Sequence, residues 1–301
     1  MSDQNFADRL LDAIDRKRSH VVVGLDPDLA LLPPSLRSEC LLDGPENPDR
    51  EAVASCYRRF LGGIIDAVAN DAVAVKPQIA YFETLGAPGY ALYEDVVRLA
   101  QDAGLLVIAD VKRGDIGSTA EAYAKAHLDL VGADALTVNP YLGTDGVEPF
   151  VARARSAGKG VFVLVKTSNP SSAEIQDMRL TSGDTVYEHV ADLANRWGKG
   201  TEGARGYRSV GAVVGGTYPS QGAALRLRMP GVPLLIPGYG AQGAKAEELG
   251  GMFDAAGTGA VVNSARAILY AYRKREGAWQ DAAALETREM KAALWAAAGR
   301  A

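Results

Sequence analysis

Eight short apolar runs recur along the chain, each trailed by turn residues and usually by a longer stretch with helical spacing of its apolar positions. The runs are Val21–Leu25, Ala72–Lys76, Leu106–Val111, Ala135–Val138, Val161–Val165, Val210–Val214, Pro233–Ile236 and Gly259–Val262. They are apolar on both alternating faces, as strands are when helices cover one side and a packed interior fills the other. Amphipathic or Ala-rich segments at Ala52–Ala69, Tyr90–Ala103, Ala120–Leu130, Val147–Ala157 and Thr185–Trp197 supply helices between them. Strands that alternate with helices imply right-handed crossovers and a parallel sheet. Eight such units in 301 residues predict a closed (β/α)8 TIM barrel, one α/β domain spanning 1–301. Phe6, Leu10, Leu11 and Ile14 add an N-terminal surface helix that packs one face, and Ala278–Ala298 adds a C-terminal helix.

Two stretches exceed what a barrel needs. One runs from Asp26 to Pro48, where Pro27, Pro33, Pro34, Pro45 and Pro48 deny it a continuous helix. The other runs from Ser168 to Arg208 and ends in the Gly- and charge-rich segment Gly198–Gly206. Both follow the C-terminal end of a strand, where barrel enzymes carry lids and binding loops.

Composition narrows the class. Hydrophobic residues make up 48% and charged residues 23%, ordinary for a chain that buries a full core. A formal net charge of −5 gives no bulk attraction for nucleic acid, although a small phosphate can still be held locally. Asp3, Asp8, Asp12 and Asp15 interrupt the N-terminus, so it does not read as a signal peptide, and no uncharged run approaches a membrane span. The chain reads as soluble and cytoplasmic. Cys40 and Cys56 form neither a C-x-x-C pair nor a metal-ligand spacing, and read as buried or idle thiols in a reducing compartment.

Charge then appears where a barrel interior should end. Asp110-Val-Lys112-Arg-Gly-Asp115-Ile-Gly-Ser-Thr119 directly follows the apolar Leu106–Ala109. Side chains alternate along a strand, so Asp110 and Lys112 point the same way, and Gly114 lets the chain turn to bring Asp115 near the same mouth. A lysine between two carboxylates stays protonated and suits a general acid for a carbanion. A structural ion-pair cluster is the alternative. Lys76, stopped by Pro77, and Asp26 end the two preceding strands. Three successive strands therefore deliver charge at the face where barrels build active sites.

Later, Gly238, Gly240 and Gly243 satisfy G-x-G-x-x-G between a strand and a helix. A dinucleotide site is rejected, because the next strand ends in Asn263 and Ser264 with no acidic residue for a ribose. Phosphate binding by the loops after strands seven and eight fits better, with backbone N–H groups, Gln242 and Arg266 around a dianion.

These motifs together resemble the orotidine 5′-phosphate decarboxylases, in their longer bacterial subgroup. Asp-x-Lys-x-x-Asp-Ile-x-x-Thr is the most specific element; Val75-Lys-Pro-Gln, Leu164-Val-Lys-Thr-Ser-Asn-Pro170, Pro237-Gly-Tyr-Gly-Ala-Gln and Asn263-Ser-Ala-Arg extend the likeness from Gly24 to Arg266. The resemblance implies cofactor-free, metal-free decarboxylation of orotidine 5′-phosphate to uridine 5′-phosphate (UMP) in pyrimidine biosynthesis. It implies a charged array of Lys76, Asp110, Lys112 and Asp115, with Lys112 protonating C6. It implies ribose contacts from Asp26 and Thr119, a base contact from Ser168 or Thr167, Pro237 beside the base, and phosphate contacts from Gln242 and Arg266. It further implies a homodimer in which Asp115 and Thr119 serve the partner's site. Ala265 stands where a serine or glycine is expected. Two alternatives stay open: a Mg2+-dependent sugar-phosphate decarboxylase or aldolase sharing Asp-x-Lys-x-x-Asp, and a non-catalytic nucleotide-phosphate binder.

Overall fold

The structure, a computed structural model, describes residues 4–42, 44, 48–240 and 243–300. Eight parallel strands close in sequence order: β1 (Val21–Leu25), β2 (Ala74–Pro77), β3 (Leu106–Arg113), β4 (Ala135–Val138), β5 (Gly160–Lys166), β6 (Val210–Val214), β7 (Leu234–Ile236) and β8 (Ala260–Ser264). The barrel seals where β8 pairs with β1, Val21 opposite Val262 and Val23 opposite Ser264. In chain order the helices are α1 (Phe6–Lys17), α2 (Pro34–Glu39), α3 (Arg50–Val68), α4 (Ile79–Glu83), α5 (Ala87–Asp102) and α6 (Gly117–Ala124), then α7 (Thr144–Ala157), α8 (Val186–Trp197), α9 (Pro219–Arg228), α10 (Arg266–Leu269) and α11 (Trp279–Ala297). The chain therefore adopts the (β/α)8 TIM-barrel fold. Among the described residues, the crossover from β7 to β8 is covered by a 3-10 segment, Ala246–Met252.

Strand alternation divides the core in two. Val21, Val23, Val75, Val107, Leu136, Val163 and Val262 face the helices. Val22, Ala74, Ile108, Ala135, Phe162, Val213, Leu235 and Val261 face inward and join the apolar side of α1, with Phe6, Leu10, Leu11 and Ile14 all buried. The predicted surface helix is thus the floor of the barrel. Phe6 meets Phe162 edge to face at 5.9 Å between ring centroids. Its ring occupies the space that a Cβ on Gly160 would take, 2.4 Å from that position, so β5 must begin with glycine.

The two long stretches divide differently from expectation. Asp26 to Pro48 carries a short 3-10 turn and α2. From the second stretch, α8 crosses back, and the 198–206 segment lies at the floor rather than the mouth: Ala204 and Arg205 donate backbone N–H groups to the buried Asp8 carboxylate of α1. The reading of the cysteines is also corrected. Cys40, at the end of α2, is disulfide-bonded to Cys56 of α3, with Cα atoms 5.8 Å apart. Their separation of 16 residues gave no sign that α2 folds back upon α3. Among the described residues no helix is long and apolar enough to cross a membrane.

Candidate active site

Inward-facing positions that are apolar at the floor turn polar toward the C-terminal ends of the strands. Following Ala74 and Ile108 by two residues come Lys76 and Asp110, and Thr137 follows Ala135. With Lys112, Leu164, Thr167, Ser168, Asn169, Val213, Leu235 and Pro237 they line a cavity of about 360 Å³. Two larger clefts, about 680 and 480 Å³, lie around α1 at the other end. Their charges serve the fold there: Lys17 donates to the carbonyls of Ala69, Ala72 and Gly104, and Arg9 pairs with Asp134 at 2.5 Å.

Asp110 is the hub. One carboxylate oxygen accepts from Lys76 Nζ at 2.6 Å and from Gln78 Nε2 at 3.0 Å. The other accepts from Lys112 Nζ at 2.6 Å and from Thr137 Oγ1 at 3.0 Å. Burial raises the Asp110 carboxyl, but the ammonium groups of Lys76 and Lys112 outweigh it and hold it well below the usual range. Lys76 is buried, which lowers it, yet Asp110 and Asp26 raise it further and keep it charged. Asp26 goes the other way: burial dominates over its attraction to Lys76, and its carboxyl is raised.

Lys112 reaches Asp110 by a route that strand alternation did not foresee. The register of β3 against β4 shifts between Ala109 and Arg113, and Lys112 has a φ of +43°, in the left-handed region that non-glycine residues rarely enter. Thr137 Oγ1 holds this bulge by accepting the backbone N–H groups of Val111 (3.1 Å) and Lys112 (2.9 Å). The Lys112 side chain is 46% exposed at the mouth, against 9% for Asp110.

Other expected residues fall around this hub. Ser168 and Pro237 wall the cavity. Asp26 sits above β1 with Oδ1 buried and unbonded among the described residues, and Tyr270 braces its turn, donating to the Asp26 carbonyl at 3.1 Å and accepting the Asp28 N–H at 2.8 Å. Asn263 Oδ1, on an inward position of β8, is likewise buried without a partner among the described residues. Arg266 opens α10, exposed, and no hydrogen bond or ion pair holds its guanidinium among the described residues. Beside it, Gly238, Gly240 and Gly243 all have positive φ. Gln242 lies outside the described residues.

Asp115 and Thr119 are not brought to Lys112 within the chain. Asp115 accepts the N–H of Ile116, Thr119 is exposed on α6, and among the described residues Lys112 forms its ion pair with Asp110 alone. Ile116, next to Asp115 in the chain, is 57% exposed, and Leu142 (47%) and Tyr141 (84%) are exposed in the segment after β4. Sequence reading missed Thr137, Gln78 and Tyr270 as site residues. A threonine at an inward position of an otherwise apolar strand was the available signal for the first.

The family model described as "Orotidine 5′-phosphate decarboxylase / HUMPS family" matches residues 19–281. The chain is 46% identical to a Rhodopirellula baltica protein named orotidine 5′-phosphate decarboxylase, covering 96% of this chain and 98% of that one. A Deinococcus radiodurans protein of the same name is 42% identical over the same shares. Among solved structures, Leishmania donovani OMP decarboxylase superposes with a TM-score of 0.76 at 32% identity, covering 97% of this chain and 99% of that one.

Proposed function

We propose, from the premise that this chain belongs to the orotidine 5′-phosphate decarboxylase / HUMPS family, a division of labour among the residues of its cavity. The reaction is the decarboxylation of orotidine 5′-phosphate to UMP and CO2 in pyrimidine biosynthesis. The bond from C6 to the substrate carboxylate breaks, CO2 leaves, and the electron pair remains on C6. Lys112 stands at the mouth as the acid: its ammonium stabilises the developing carbanion and transfers a proton to C6, then regains one from solvent. The observation that carries this reading is the pairing of two ammonium groups on one buried Asp110 carboxylate, with the Lys112 backbone forced into a bulge to complete it. A binding module has no use for such strain.

Lys76 and Asp110 fix the field around Lys112, so that little reorganisation is needed as charge forms. Among the described residues Asp26 Oδ1 has no donor and Arg266, beside the glycine loop, has no partner; the first supports a ribose-hydroxyl contact and the second, with Gln242, a phosphate grip. Ser168 meets the pyrimidine and Pro237 packs beside it. Binding energy from the remote phosphate is then available to stress the reacting end. We write the reaction without metal or organic cofactor, since both Asp110 oxygens already have donors. Asp115 and Thr119 complete a second subunit's site in a homodimer; the absence of a hydrogen bond or ion pair from either to Lys112 among the described residues, and the exposure of Ile116 between them, support this.

Release of CO2 from orotidine 5′-phosphate, with and without exhaustive chelation, tests the reading. Equal rates are expected. Activity that disappears on chelation and returns with Mg2+ would instead favour sugar-phosphate chemistry on the same barrel.

A further inference from the structure

Lys166, the last residue of β5, is fully buried. Its parity with Phe162 and Leu164 would aim it into the barrel, but the β5–β6 register shifts between Leu164 and Lys166, which faces Val214 instead. Val214 belongs to the helix-facing layer. The ammonium therefore leaves the barrel axis and lies beneath the loop that follows. There it donates to Asp177 Oδ1 at 2.6 Å and Ser172 Oγ at 3.2 Å, with the rings of Tyr218 and Tyr187 at 4.8 and 5.3 Å. These partners offset the hydration that a lysine this deep gives up.

The anchor leads straight to the cavity wall. Next to Asp177, Gln176 accepts the Thr167 N–H at 3.0 Å and donates to Thr167 Oγ1 at 2.7 Å. Thr167 Oγ1 in turn donates to Asn169 at 2.7 Å. The Ser168 carbonyl accepts from Thr217 at 3.3 Å, and a Cβ on Gly215 would come within 2.9 Å of the Ser168 backbone. Thr167, Ser168 and Asn169 all line the cavity, whereas Lys166 does not.

We infer that Lys166 is a positioning residue: through Asp177 and Gln176 it sets the Thr167–Asn169 turn against the substrate base. The inference rests on the reading that this turn meets the pyrimidine. Ribose 5-phosphate lacks the base that UMP carries, so the ratio of their dissociation constants reports on the turn, while a general loss of structure lowers both affinities. Lys166→Met keeps an unbranched side chain, one heavy atom shorter, and removes the charge. It is expected to weaken UMP about tenfold, the scale of one lost hydrogen bond, and to leave ribose 5-phosphate within about twofold. Turnover per unit of free substrate, kcat/KM, should fall on the order of 10²-fold, as misplaced binding groups cause. Asp177→Asn, at a partly exposed position, should give the same selective loss, and the double variant should be no worse than Lys166→Met alone. If Lys166→Met does not fold, Asp177→Asn decides the question by itself. Equal weakening of both ligands, or of neither, overturns the positioning role. Ser168→Ala tests the underlying contact separately. An unchanged ratio there removes Ser168 as the contact but leaves Lys166 to be judged on its own variants.

Discussion

Asp110 gathers four donors onto two oxygens, and the behaviour of the site with pH follows from that. Because its folded carboxyl is held low, Asp110 contributes stability wherever the unfolded carboxyl is ionised, above about pH 4, and this is lost as pH falls toward the folded value. Asp110→Asn lacks that contribution and deprives buried Lys76 of its carboxylate, a loss of about 3–5 kcal/mol near neutral pH. The gap from wild type should narrow below about pH 4, which denaturant unfolding at pH 7 and pH 3 measures. A gap that ignores pH would mean that Asp110 acts through packing. At the other end of the substrate, Arg266→Ala should weaken nucleotide binding by about 1.5–3 kcal/mol and hardly change the affinity of phosphate-free nucleosides. Equal loss for both would make Arg266 structural. The charged members of the cluster were legible, because charge beside an apolar strand end is conspicuous. Thr137 and Gln78 were not, since a neutral residue gains its meaning only from what it faces.

At the level of elements, the strands were legible to within a few residues because each carries an apolar run that only a covered sheet accommodates. The bulges in β3 and β5 were not. A register shift arises between two strands, and no single strand's sequence declares it. Strand alternation thus united Asp110 with Lys112 for an incomplete reason, and it gave no hint that Lys166 turns outward. The amphipathic spacing of α1 was legible too, but its partner was not, because the helix closes a floor assembled from residues far apart in the chain. That placement has a measurable consequence. Phe6→Ala removes a fully buried ring and should destabilise by about 3–5 kcal/mol, while KM for the nucleotide stays unchanged because the floor is remote from the mouth. Urea unfolding and steady-state kinetics on one preparation check both halves. A raised KM at intact fold would tie the floor to the site.

At the level of the whole molecule, the described chain holds Lys76, Asp110 and Lys112 together but leaves Asp115 and Thr119 outside their hydrogen bonding. Nothing in the spacing of Asp-x-Lys-x-x-Asp says that its last member serves another subunit; family resemblance supplied that expectation, and the exposed Ile116, Tyr141 and Leu142 offer it a surface. Lys112→Ala alone should abolish turnover while retaining UMP affinity, since its ammonium matters most as charge develops at C6. The most direct test combines it with Asp115→Ala. Equal amounts of the two inactive variants are unfolded together and reassociated. In a mixed dimer one site receives both defects and the other receives neither. Random pairing makes roughly half of the dimers mixed, so CO2 release from orotidine 5′-phosphate should return to roughly a quarter of the wild-type rate. If both residues serve the site of their own subunit, every site keeps a defect and no activity returns.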